Sequence, residues 1–233
     1  MFAIVVPIFN ESQNLKKLVE EIYISLKTYN KFELILVNDA STDSTIEVIK
    51  KIQKSFNLVL LNNNENKGQS YSILKGISKA RFDIIVTLDG DGQNNPKDIP
   101  TLLEIYLKNK NLSLVGGIRK KRKDSFIKII SSRLANKVRS RILNDQCDDT
   151  GCSLKVFNRN IFINLPYFNG IHRFLPALFR GYGYQCHFVF VDHRARVKGV
   201  SKYGTFDRLY RGIIDIIKVS KIIKNYKHKN KKI

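Results

Sequence analysis

Two aspartates separated by one glycine, Asp89-Gly90-Asp91, follow the apolar run Ile84-Ile85-Val86, and Gln93 comes two residues later. Alternate residues of an extended segment point the same way, so Asp89, Asp91 and Gln93 can share one side. A carboxylate pair at the end of a buried strand is costly unless a cation meets it. Hard oxygen donors of this kind suit Mg2+ or Mn2+, which are held by one or two carboxylates together with substrate phosphates. Asp91 and Gln93 could hold such an ion on a diphosphate, with the glycines allowing close backbone approach. The alternative is a turn with solvated aspartates, and these residues alone do not decide between the two.

The elements that would position this group alternate. Apolar runs at Phe2–Pro7, Phe32–Val37, Leu58–Leu61 and Asp83–Leu88 read as strands. Leu15, Leu18, Val19, Ile22 and Leu26 mark one face of a first helix. Ser41 or Thr42 could cap a second, through about Lys54. Asn66-Lys67-Gly68 turns into a third, through about Ala80, and Asn95-Pro96 opens a fourth, to about Lys108, before a strand at Leu112–Gly116. Unalternating apolar strands between helices imply an α/β fold with a parallel sheet covered on both faces. Such sheets bind ligands outside the carboxyl ends of their strands. Asn10-Glu11, Asn38-Asp39 and Asp89-Gly90-Asp91 all fall at that edge. Beyond residue 118 the pattern predicts a basic amphipathic helix at 124–143, a strand at Gly151–Phe157, a helix at His172–Tyr182, a strand at Tyr184–Val191, a basic loop at 192–204 and a long helix from about Thr205.

Charge divides the chain of 233 residues. Residues 1–118 hold 14 Lys/Arg against 13 Asp/Glu, and residues 119–233 hold 27 against 7. A lysine-rich genome would act on both halves, so the second half is expected to meet something anionic: phosphates, anionic lipid or nucleic acid. A hydrophobic content of 43% supports a sizeable core. The three cysteines lack zinc-site spacing, and their odd number suggests a reduced, cytosolic protein. The run Met1–Pro7 lacks a basic leader and reads as a buried strand, and no run of about 18 apolar residues predicts a transmembrane helix.

VPIFNE at 6–11, VNDASTDST at 37–45, NKGQSYSILKG at 66–76 and LDGDGQNNP at 88–96 occur in this order and spacing. As a set they resemble glycosyltransferase family 2, of GT-A fold, over about residues 2–118. There is no GxGxxG and no GxxxxGK[ST], so a dinucleotide site or P-loop is unsupported. The resemblance implies a nucleotide-sugar (donor) half at 1–118, with UDP- or GDP-linked sugar on Pro7, Phe9, Glu11, Asp39, Asp89 and Asp91. Asp39 matches the carboxylate that binds the nucleoside base. Asp89 and Asp91 match the family's DxD pair, with Asp91 and Gln93 closest to Mg2+ or Mn2+.

The second half is similar to the polyprenyl-phosphate sugar transferases, which include dolichol-phosphate mannose synthases. The matches are Gly117-Ile118-Arg119, Ser132-Arg133-Leu134-Ala135-Asn136, Asp149-Thr150-Gly151-Cys152-Ser153-Leu154-Lys155 and Arg196-Val197-Lys198-Gly199-Val200-Ser201-Lys202-Tyr203. By that resemblance Arg119, Arg133 and Arg196 hold the acceptor phosphate, with Lys202 nearby, in an acceptor half at 119–233 of one continuous catalytic domain. Asp89, Asp91 and Arg119 would form the catalytic group. The polymerising branch carries Q-x-x-R-W, and this chain has no Trp.

A phosphate monoester is largely ionised at neutral pH and needs no general base. A hydroxyl acceptor would need one, with Asp148 or Asp149 best placed; a transferase acting on a sugar or protein hydroxyl is therefore the alternative. A basic nucleic-acid-binding protein is a remoter one, since no recognised nucleic-acid motif accompanies the charge. His172 reads more readily as a helix-start or core residue than as a catalyst. Ile213, Ile216, Ile217, Val219, Ile222 and Ile223 interleave with Lys218, Lys221 and Lys224. That pattern suits peripheral contact with an anionic membrane surface, on the cytoplasmic face, with a membrane-anchoring subunit as the other route.

Overall fold

The computed structural model of the chain describes residues 1–120, 136, 138–195 and 205–230. Strand β1 (Phe2–Ile8) is buried at every position except the half-buried Pro7, as a central parallel strand should be. Its alternate side chains divide between two cores. Ile4, Val6 and Ile8 pack with Leu15, Leu18, Val19 and Ile22 of helix α1 (Leu15–Ser25). Ala3 and Val5 face Ile73 and Ile77 of helix α3 (Gln69–Lys79) on the other side.

β1 pairs in parallel with β2 (Phe32–Asn38) and with β4 (Ile84–Thr87), and β2 pairs in parallel with β3 (Val59–Asn62). Helix α2 (Thr45–Ile52) follows β2, and α4 (Ile99–Lys108) precedes β5 (Leu112–Arg119). The basic half adds β6 (Lys155–Asn158) and β7 (Gln185–Val191) to the same sheet, whose order is β3-β2-β1-β4-β6-β5-β7. β6 is antiparallel to both neighbours, β4 and β5, whereas β5 and β7 are parallel. The sheet is therefore mostly parallel and flanked by helices.

Two expected elements take a different form. The strand expected from Gly151 begins at Lys155. The Lys155 ammonium donates to the carbonyls of Thr150 and Cys152, and the Thr87 hydroxyl donates to the carbonyl of Ser153 at 2.8 Å, so these groups stay out of the ladder. The helix expected at His172–Tyr182 splits into a 3-10 turn (Ile171–Arg173) and α6 (Leu175–Gly181). Pro176 lies in the first turn of α6: lacking an N–H, it cannot bond back to the preceding turn, so a new helix starts around it. A short helix α5 (Arg159–Ile163) precedes this pair. Of the expected helix at 124–143, residues 138–143 are helical, and most of the remainder lies outside the described residues. Helix α7 (Thr205–Asn230) packs through Val219 and Ile223, and Tyr226 stacks on Tyr182 with ring centroids 3.7 Å apart.

The close seat of α3 sets the height of the functional edge. A Cβ added at Gly76 would lie 2.4 Å from Val5 Cγ1 and 3.0 Å from Val37 Cγ2. Alanine in a helix normally gains about 0.5–1 kcal/mol over glycine. Here overpacking outweighs that gain: Gly76→Ala is expected to destabilise the chain by about 1–3 kcal/mol in denaturant unfolding. Unchanged or increased stability would contradict this packing.

Candidate active site

β2 lies on one side of β1 and β4 on the other, so the carboxyl ends of β1 and β4 flank a topological switch point, where open α/β sheets bind ligands. The loops after β1 and β2 are laced together there. Asn10 and Ala40 adopt left-handed backbone, at φ 56° and 57°. The Asn10 N–H donates to Ser41 Oγ at 2.9 Å, Thr42 N donates to Asn10 Oδ1 at 2.8 Å, and Glu11 N donates to Thr45 Oγ1 at 3.0 Å. Such conformations favour short polar residues, so Ala40 is held by its surroundings rather than by preference. Pro7 and Phe9 bracket the end of β1, and Glu11 Oε2 accepts from Asn14 Nδ2 at 2.7 Å.

Asp39 is 3% exposed. Its Oδ1 accepts from Asn63 Nδ2 at 2.7 Å and Lys67 N at 2.9 Å, and its Oδ2 accepts from Gly68 N at 2.8 Å. Gly68, at φ 84°, lets the chain turn so that both N–H groups aim at one carboxylate. A carboxylate offers about four acceptor positions. Three are filled, leaving room for one N–H from a ligand such as a nucleobase.

Asp89 sits where the next loop begins. Its Oδ1 accepts from Gln69 Nε2 at 2.7 Å, and its N–H donates to Asn94 Oδ1 at 3.2 Å. Burial, followed by the like charge of Asp91, pushes its carboxyl up to about 6, against the opposing pull of Ser153, Lys155 and Arg119. Two cations from the basic half thus act on this carboxylate. A Cβ at Gly90 would lie 3.1 Å from the Pro7 carbonyl oxygen, so the DGD loop passes β1 at a distance only glycine allows without displacement.

Asp91 is 8% exposed, and its Oδ1 accepts from Gln93 N at 3.1 Å. Gln93 Nε2 donates to the Arg194 carbonyl at 3.3 Å. Among the described residues no cluster of three His, Cys, Asp or Glu could hold a metal alone. An aspartate oxygen and a carboxamide oxygen do fit an ion that takes its other ligands from phosphate and water.

Arg119 ends β5 in a bidentate ion pair. Its Nε and Nη2 donate to Asp149 Oδ2 and Oδ1, both at 2.6 Å, and its backbone N donates to Oδ2 at 3.2 Å. Burial lowers the affinity of this guanidinium for its proton, but Asp149 reverses the balance, and its pKa rises. A Cβ at Gly151 would lie 3.0 Å from Arg119 Nη2. Asp149-Thr150-Gly151 is therefore a seat for Arg119: a carboxylate at one edge and a missing side chain beneath. Arg139 steadies the seat, donating from Nε to Asp145 Oδ2 at 2.7 Å, from Nη1 to Thr150 Oγ1 at 2.7 Å, and to the Cys147 carbonyl. Asp148 is exposed. Arg133, Arg196 and Lys202 lie outside the described residues.

His172 is brought to α3. Gly170 N donates to Ser70 Oγ at 2.8 Å, so the Ser70 hydroxyl proton is available to His172 Nδ1, 2.7 Å away. Burial, with the positive charges of Arg173 and Lys155, depresses the imidazole to about 3, so it stays neutral. Sequence reasoning assigned no role to Asn63, Gln69, Ser70, Asn94, Lys155 or Arg194. Gln69, Ser70, Asn94 and Lys155 stood inside motifs already singled out, and Arg194 inside the expected basic loop at 192–204, but nothing local marked Asn63.

Solved structures share this fold. Glucosyl-3-phosphoglycerate synthase from Mycobacterium tuberculosis, in complex with Mn2+, UDP-glucose and glycerol 3-phosphate, matches with a TM-score of 0.69 at 16% identity, over 94% of this chain and 78% of that one. A mannosyltransferase from Pyrobaculum calidifontis, in complex with GDP-Man and Mn2+, matches with a TM-score of 0.66 at 20% identity, over 90% of this chain and 60% of that one. The fold is the GT-A fold of sugar-nucleotide transferases. The family model for glycosyl transferase family 2 matches residues 3–165, and the chain belongs to that family. It is 39% identical, over 93% of its length, to a dodecaprenyl-phosphate galacturonate synthase of Rhizobium johnstonii. It is 32% identical, over 92% of its length, to an undecaprenyl-phosphate 4-deoxy-4-formamido-L-arabinose transferase of Pseudomonas savastanoi. The chain spans 65% and 64% of the length of these two relatives.

The depressed imidazole has a consequence for stability. Between pH 6.5 and 3 the unfolded chain binds a proton at His172 that the folded chain refuses, so this residue's contribution falls as pH drops through that window. At pH 5 the loss is about 1–2 kcal/mol. His172→Asn should flatten the change in unfolding free energy between pH 7.5 and 5 by that amount. Identical pH slopes for the two proteins would show that His172 is not held neutral.

Proposed function

We propose that the chain transfers a sugar, with inversion, from a UDP- or GDP-linked donor to a polyprenyl phosphate. The observation that carries this reading is the Arg119–Asp149 pair. Asp149, one of the two carboxylates placed to serve as a general base, is engaged in holding a guanidinium, as suits a phosphate nucleophile that needs no base. Two relatives, both polyprenyl-phosphate sugar transferases, support the same acceptor class.

On this reading Asp39 receives the nucleoside base, and Pro7, Phe9, Glu11 and Asp89 line the donor. Asp91 and Gln93 would hold Mg2+ or Mn2+; two structural neighbours were solved with Mn2+ bound. The ion, when bound, neutralises charge on the departing diphosphate. Arg119, through the guanidinium N–H groups that Asp149 does not take, holds the acceptor phosphate together with Arg133, Arg196 and Lys202. A phosphate oxygen attacks the anomeric carbon from the face opposite the leaving nucleoside diphosphate. The carbon–oxygen bond to the nucleoside diphosphate breaks, that oxygen keeps the electron pair, and no proton need move.

The acceptor places the reaction at a bilayer, and we assign the chain to its cytoplasmic face as a peripheral protein, with a membrane-anchoring subunit as a further route. No helix among the described residues is long and apolar enough to cross a membrane. α7 exposes Ile213, Ile214 and Ile217 beside Lys218, Lys221 and Lys224, a pairing suited to an anionic interface. Nucleic acid is not a partner in this reading.

Incubation with radiolabelled nucleotide sugars, Mn2+ and polyprenyl phosphate should place label in an organic-extractable, acid-labile product. Label confined to a water-soluble saccharide or to protein would instead identify a hydroxyl acceptor. Arg119→Ala should lower kcat/KM for the lipid phosphate by about 10²-fold, the loss expected for a charge-assisted pair of hydrogen bonds. Asp149→Asn should lower it too, because the substitution releases Arg119; its effect is thus not a measure of base catalysis alone. Flotation with anionic vesicles at low salt should carry the chain upward, and no binding there would refute the membrane contact.

A further inference from the structure

The residues after β7 run along the metal loop as a short ribbon. Arg194 N donates to the Gln93 carbonyl at 2.9 Å, Gln93 Nε2 returns to the Arg194 carbonyl at 3.3 Å, and Asn94 pairs with His193 as an antiparallel bridge. Asp192 N donates to Asp98 Oδ2 at 2.9 Å, tying the far end of the ribbon. The Arg194 guanidinium then reaches in two directions. Nη2 donates to Asn95 Oδ1 at 2.7 Å, within the same loop, and Nη1 meets Glu21 Oε2 at 2.6 Å, on α1. α1 is packed into the main core through Leu15, Leu18, Val19 and Ile22, so Glu21 is a fixed post.

A carbonyl oxygen only accepts hydrogen bonds. The end of the Gln93 carboxamide facing the Arg194 carbonyl is therefore its NH2 end, and its oxygen end is the one turned elsewhere. That oxygen is the end a hard cation requires. The orientation depends on where the Arg194 carbonyl stands, and the guanidinium sets that by bonding both the loop and α1.

We infer that Arg194 is a positioning residue for the divalent ion: by anchoring its own backbone to Glu21 and Asn95, it presents the Gln93 carboxamide oxygen to the metal. The inference rests on the assignment of Asp91 and Gln93 as metal ligands. Partners that orient metal ligands typically change metal affinity by about 10–100-fold when removed. Arg194 and Glu21 are partly exposed, at 31% and 23% of their side chains, so the tie is not part of the apolar core.

The test is a Mn2+ titration of the full chain at saturating UDP or GDP, whichever stabilises it. The readouts are the electron paramagnetic resonance signal of free Mn2+ and the metal-dependent rise in Tm. Arg194→Ala should raise the Mn2+ midpoint about tenfold, with nucleotide binding in the absence of metal within about twofold of the parent. Glu21→Gln should shift the midpoint in the same direction by less, and it carries the test if Arg194→Ala does not fold. A lowered Tm with an unchanged Mn2+ midpoint in the folded variant would mean that Arg194 only stabilises the chain, and would overturn the inference. Asp91→Asn is the parallel arm. If it too leaves the midpoint unchanged, the metal assignment itself fails; if it shifts the midpoint while Arg194→Ala does not, only the role of Arg194 fails.

Discussion

Carboxylates at the carboxyl ends of buried parallel strands must be met by donors, and one short stretch of backbone meets most of that need. Lys67 N and Gly68 N converge on Asp39, Gln69 Nε2 reaches Asp89, and Ser70 Oγ meets His172. Four consecutive residues at the start of α3 thus join the loops after β2 and β4 to the second half of the chain. They can do so because Gly76, two turns further along, lets α3 lie against Val5 and Val37. The partial positive charge of the helix N-terminus acts in the same direction as these hydrogen bonds. A carboxylate left in this setting without such partners would lose its hydration with little in return.

The basic half solves the reverse problem. Among the described residues, the buried Arg139 and the largely buried Arg119 each have a dedicated carboxylate: Asp145 for Arg139 and Asp149 for Arg119. Removing one partner of a buried pair is strongly destabilising, because the other charge is left uncompensated. The two pairs differ in purpose. Arg139 is 4% exposed and bonds Thr150 and the Cys147 carbonyl as well as Asp145, so it stabilises the loop. Arg119 stands at the strand end and acts on Asp89 across the sheet. Lys155 acts on Asp89 as well, from β6, the antiparallel strand that joins the two halves. The acidic edge and the basic segment are therefore partners in one electrostatic arrangement.

Much of this was legible along the chain. The apolar runs located β1 to β4 to within a residue or two, and β1 and β2, buried on both faces, have no alternation to misread; β5 runs three residues past the expected Gly116. Phe2–Pro7 became Phe2–Ile8, and Asp83–Leu88 became Ile84–Thr87. The expectations failed where side chains compete with the backbone. Lys155 takes up the carbonyls that would have started β6 at Gly151, and Pro176 restarts a helix expected to be continuous from His172. His172 read as a helix-start or core residue, and it does begin a helical turn, but its imidazole is held by a serine about a hundred residues away.

The sequence by itself marked candidates: Asp39, Asp89 and Asp91 are polar groups that follow apolar runs, Gln93 alternates with the aspartate pair, and the family resemblance added Arg119. It also determined that a neutral half precedes a strongly basic one. Only the tertiary structure decided how these groups are occupied. Asp149 stands 30 residues from Arg119, Lys67 and Gly68 stand 28 and 29 residues from Asp39, and Glu21 stands 173 residues from Arg194. No periodicity or local spacing relates such pairs. They meet because the strands order themselves by burial rather than by sequence position, and a carboxylate becomes base, ligand or anchor according to the donor that this order brings beside it.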